Sequence, residues 1–117
     1  MRELVEFKFN SKSNLDGEIN IIDFIAKGYR SENIWYFKNE NEYKFFINDD
    51  LEVRVNDSVY KFNLNKKTEA LIKLDQYLYK ASITTNKLLI NENRIEINYS
   101  MDFSGFSGVY EIIVELC

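Results

Sequence analysis

A chain of 117 residues with 45% hydrophobic and 29% charged side chains is sized and balanced for one packed domain, which excludes both a disordered segment and a two-domain protein. A formal net charge of −4 and a pI near 4.9 argue against nucleic acid as a partner, since phosphates are held by clustered Lys and Arg. The absence of histidine removes His-based acid–base catalysis, Ser–His and Cys–His nucleophile pairs and most transition-metal sites, and the one cysteine, Cys117, has no partner for an intramolecular disulfide.

The elements read as strands from the start. In "ELVEFKFN", Val5, Phe7 and Phe9 alternate with Glu6 and Lys8, the two-residue period of a half-buried strand. "SNLDG" is a turn, because Asn, Asp and Gly tolerate left-handed backbone angles. "EINIIDFIAKGYR" is a long strand that is apolar on both sides: Ile19, Ile21 and Ile25 share one face with Asp23, while Ile22, Phe24 and Ala26 share the other. Gly28, late in that strand, is where a bulge or a barrel-corner bend is expected.

"NIWYFKN" and "EYKFFIND" form a hairpin around Asn39, Glu40 and Asn41, and "LEVRV" and "SVYKFNLN" form another through Asn56 and Asp57. "KTEALIKLDQYLYK" is compatible with a helix capped by Thr68 or with two short strands; the β-branched and aromatic run "YLYKASITT" favours strands. "RIEINYSMDF" alternates cleanly, with Ile95, Ile97, Tyr99, Met101 and Phe103 on one face. "SGFSG" reads as the last turn and "VYEIIVEL" as the last strand. Regular short strands with turns between them predict an all-β fold, a single up-and-down antiparallel barrel of about eight strands over residues 1–117, since closure removes the exposed edges of a meander.

The order of these features resembles the YwiB-like proteins, small bacterial proteins of unknown function with a calycin-like (lipocalin-like) barrel. The resemblance lies in "DFIAKGY" followed by "IWYF", in "YLYKASITTNKLLI", and in "RIEINYSMDF" leading to "YEIIVEL". Asp75 and Gln76 stand where the family has a glycine before the "YLY" strand. The resemblance implies the barrel and, by analogy with calycins, a small-molecule cavity. It carries over no catalytic residue and no cofactor.

Two readings of function stay open. In the first, Trp35, Phe37, Tyr77, Tyr79, Tyr99 and Phe103 line a cavity that holds a small apolar or amphipathic molecule, with Tyr hydroxyls and Asp23 orienting it. In the second, these rings fill the barrel, and apolar side chains on the outer face, Tyr36 and Phe46, form a homodimer or partner interface. An enzyme using carboxylates or tyrosine is the third. "NDDLE" lacks the spacing of a calcium loop, so no metal site is expected. No apolar run approaches the roughly 18 residues that cross a bilayer, and "MRELVEFKFN" does not look like a secretory leader. A cytoplasmic protein without a membrane partner is therefore expected. The abundant Asn, Ile and Lys point to an AT-rich bacterial genome.

Overall fold

Ten strands follow one another: β1 (Glu3–Leu15), β2 (Glu18–Arg30), β3 (Ile34–Lys38), β4 (Glu42–Ile47), β5 (Leu51–Val55), β6 (Ser58–Phe62), β7 (Thr68–Leu74), β8 (Tyr77–Ile90), β9 (Arg94–Phe103) and β10 (Phe106–Leu116). The computed structural model describes residues 2–103 and 105–117; Ser104, in the expected last turn, lies outside them. Each strand pairs antiparallel with its chain neighbours, and β10 returns to β1, which closes the barrel. The count is ten rather than eight. The ambiguous stretch, residues 67–80, falls in the β7–β8 hairpin, which supplies two of the strands.

The turns explain why a meander forms. Asp16 and Gly17 both have positive φ, 52° and 84°, as a two-residue I′ hairpin requires. Asn14 Oδ1 accepts the Gly17 amide at 3.1 Å. Asn56 (φ 55°) opens the β5–β6 turn in the same way. At the β7–β8 corner, Asp75 (φ 56°) adopts the left-handed conformation itself, so the missing glycine is replaced by a residue type that tolerates it.

The wall is uneven in height. β3 to β6 have five or six residues each, whereas β1, β2 and β8 have thirteen or fourteen. At about 3.3 Å per residue the low side rises about 17 Å and the high side more than 40 Å, in keeping with a longest dimension of 42 Å. Two joins are partial as a result. β2 meets β3 only at Gly28, Tyr29 and Arg30, and β6 meets β7 only through Val59 and Tyr60.

Where all walls are present, the interior is filled. Phe7, Trp35, Phe37, Phe45, Phe62, Leu51, Ile83, Ile95, Ile97 and Val114 are buried there. Gly28 is not at a bulge, because its ladder with β1 runs unbroken. It marks the place where the β3 backbone crosses most closely. The register shift lies in β8, between Thr85 and Lys87.

On the outer face, Glu96 accepts from Lys87 Nζ at 2.6 Å and from Arg94 at 3.0 Å, and Arg94 also reaches Glu115 at 2.9 Å. Lys87, and then Arg94, hold the Glu96 carboxyl below its ordinary range. A carboxylate with a lowered folded-state pKa adds stability above its unfolded value and loses it as the pH falls through the lowered one. Glu96→Gln is therefore expected to be less stable than the parent at neutral pH. The difference should close below pH 4.5, the ordinary carboxylate value. Urea titrations at neutral pH and at about pH 3 check this; a difference that persists at the acid end would mean that packing, not charge, is what Gln disturbs.

Candidate functional site

Between β1 and the short strands β4 to β6 the filled core gives way to space. A cavity of about 260 Å³ is lined by Phe9, Ser11 and Ser13 of β1, Ile22 of β2, Tyr43 and Phe45 of β4, Val53 and Val55 of β5, Tyr60 and Phe62 of β6, Tyr99 of β9 and Tyr110 and Ile112 of β10, with Asn41 at the rim. The inward row of β1 explains the hollow. It runs Phe7, Phe9, Ser11, Ser13, so two large rings are followed by two side chains too small to reach the axis. Among the described residues, no charged side chain lines this cavity.

Four tyrosines line it: Tyr43, Tyr60, Tyr99 and Tyr110. Tyr99 is 5% exposed; its ring stacks on Tyr110 at 5.0 Å and meets Phe62 edge-on at 4.7 Å. Burial raises the ionisation of Tyr99 far above its ordinary value, with smaller contributions from Tyr60 and Tyr110, and burial raises Tyr60 and Tyr110 as well. All three are neutral donors at any physiological pH. The Tyr99 hydroxyl makes no hydrogen bond to a described residue and is not sealed from the cavity. Tyr110 lies back over Gly108, where a Cβ would stand 2.6 Å from its hydroxyl oxygen. Glycine at 108 thus lets the ring lie flat between the cavity and a neighbouring groove.

That groove, about 370 Å³, lies between the hairpin tips and is lined by Leu15, Ile72, Leu74, Met101, Phe103, Phe106 and Tyr110. Tyr110 is common to both spaces. At the other end of the barrel, a wide shallow recess of about 680 Å³ is open to solvent. Its one cation among the described residues, Arg30, is already engaged with Glu3 at 3.3 Å and with the Glu92 carbonyl.

The expected site residues separate on this map. Tyr99 lines the cavity and Phe103 the adjoining groove. Tyr79 is half-buried and packs edge-on against Phe103 at 5.3 Å. Trp35 and Phe37 do not line this cavity, and Trp35 borders the recess at the other end. They lie in the filled part, where Phe7 stands 5.6 Å from Trp35 and 5.0 Å from Phe37. Tyr77 points inward by parity but sits above the wall, 57% exposed. Asp23 does not enter the barrel; it is exposed on the outer face of β2 because Phe24, opposite Phe9, takes the inner one.

Tyr36 and Phe46 do face outward, and the chain partly covers them. Tyr36 stacks on Tyr29 at 4.9 Å and donates to Glu42 at 3.1 Å, and the Arg54 guanidinium lies 4.9 Å from the Phe46 ring centre. Sequence reasoning missed Tyr60, Tyr110, Ser11 and Ser13. The Phe-Phe-Ser-Ser inward row was the signal for them.

With this geometry in place, the chain can be set beside known proteins. The crystal structure of the ywiB protein from Bacillus subtilis superposes with a TM-score of 0.67, covering 99% of this chain and 93% of that one at 16% identity. The barrel is YwiB-like. At that identity the likeness is one of fold: a closed, all-antiparallel YwiB-type barrel. No protein-family model matches the sequence, and neither does any curated protein.

Proposed function

We propose that this barrel is a non-enzymatic cytoplasmic binding protein for a small, uncharged, amphipathic molecule. Its ligand has an apolar body and one hydrogen-bond-accepting oxygen. The observation that carries the reading is Tyr99: its ring is buried, its phenol is neutral, and its hydroxyl is open to the cavity and bonded to no described residue. Such a group is free to donate to an acceptor that enters the cavity. The lack of charged lining favours a neutral ligand, because an ion entering the cavity would lose its hydration with no counter-charge. A volume of about 260 Å³ suits a single substituted ring or a short branched chain.

Matched pairs test the proposal. The parent protein should bind acetophenone more tightly than ethylbenzene, read by calorimetry. Tyr99→Phe should abolish the preference, weakening the ketone about tenfold while leaving the hydrocarbon unchanged. Native mass spectrometry of freshly purified protein, before and after denaturation, looks for a resident ligand. If neither probe binds and no mass is released, the cavity reading is wrong.

A further inference from the structure

β2 borders one of the two partial joins in the wall. Its partner β1 covers one side from Glu18 to Arg30, while β3 covers the other only at Gly28, Tyr29 and Arg30. No other backbone hydrogen bond reaches residues 18–27 among the described residues. The hairpin fixes which groups are left free. Leu15 and Glu18 flank a two-residue turn and form a hydrogen-bonded pair, and such pairs alternate along an antiparallel ladder. Glu18, Asn20, Ile22 and Phe24 therefore spend their amides and carbonyls on β1. Ile19, Ile21, Asp23 and Ile25 present theirs to the open edge.

Those four residues are also the outward row of β2, and the three isoleucines are 55%, 62% and 59% exposed. Protected edges carry lysine, proline or a bulge. The chain has no proline, β2 has no lysine before Lys27, and its ladder with β1 has no bulge. Asp23 is the one charge in this outward row from Ile19 to Ile25.

We propose that this edge pairs with β2 of a second copy of the chain, antiparallel across a two-fold axis. Hydrogen-bonding parity requires residues of the outward row to pair with each other. An axis through Asp23 would oppose two carboxylates. An axis through Ile22 sets Ile19 against Ile25 and Ile21 against Asp23, so apolar meets apolar and the carboxylates are kept apart. The same register places Lys27 beside the Asp16–Gly17 turn of the second copy, a charge match that the segment makes with itself. The strand is thus complementary to its own copy. It also brings the two Ile22 side chains together at the rim of the cavity, which a single copy leaves half open.

Sedimentation velocity between about 5 and 200 µM tests this, with a dimer expected at the upper end. Asp23→Pro removes an N–H from the free edge alone, since Asp23 gives no hydrogen bond to β1, and proline is tolerated on such an edge. Ile21→Glu sets a second carboxylate opposite Asp23 of the other copy without touching the backbone. Each should weaken association at least tenfold, with far-UV circular dichroism unchanged. In the wild type, the amides of Ile19, Ile21, Asp23 and Ile25 should exchange more slowly as concentration rises. A wild type that stays monomeric throughout overturns the proposal, as does a dimer undiminished by Ile21→Glu. Should Asp23→Pro misfold, Ile21→Glu and the exchange pattern decide alone.

Discussion

Gly28→Ala is expected to destabilise the barrel by about 3 kcal/mol or more, a large share of the stability of a domain this size. A Cβ built at Gly28 would stand 1.9 Å from the Tyr36 carbonyl oxygen and 2.9 Å from the Phe37 Cα. Both are backbone atoms of β3, so no rotamer change relieves the clash. β2 and β3 would have to part at the three residues that join them. Gly17 provides the contrast. A Cβ there meets nothing within 4 Å, but φ is +84°, so Gly17→Ala should cost only the left-handed penalty of about 1–2 kcal/mol. Guanidinium titrations of the two variants rank them. Equal midpoints would show that the β2–β3 crossing yields easily and that the barrel does not depend on it.

Much of the fold was legible because alternation is strict. β9 shows Ile95, Ile97 and Tyr99 to the interior as its pattern requires. β2 was legible as a strand but not in its facing, since Ile19, Ile21 and Ile25 are as apolar as Ile22, Phe24 and Ala26. Only the register with β1, Phe9 opposite Phe24 and Phe7 opposite Ala26, decides which row is inner. That decision places Asp23 outside. The position of a ring along the barrel axis was equally illegible. Phe37 and Tyr99 both point inward, but rings crowd Phe37, whereas Tyr99 borders the space beside Ser11 and Ser13. Which side chains of other strands meet at one height is set by the register around the whole circuit, and local sequence does not carry it.

Phe37→Ala is the second large effect, expected at about 3–5 kcal/mol. The Phe37 side chain is wholly buried, and five rings surround it: Phe7 at 5.0 Å, Tyr43 at 5.1 Å, Phe9 at 5.8 Å, Phe45 at 5.9 Å and Phe24 at 6.0 Å. Deleting the ring removes its burial and leaves a void, because neighbours fixed on three different strands collapse only partly into it. Tyr99→Phe should behave oppositely. It removes a hydroxyl bonded to no described residue, so stability should be unchanged or slightly raised while affinity for an oxygenated ligand falls. The pair of variants therefore separates the filled part of the barrel from the hollow part by two independent readouts, a denaturation midpoint and a dissociation constant. If Phe37→Ala lost less than about 1 kcal/mol, the lower barrel would be loosely packed too. The cavity would then extend down to the Phe7–Phe37 pair, and the ligand would be larger than the upper space alone allows.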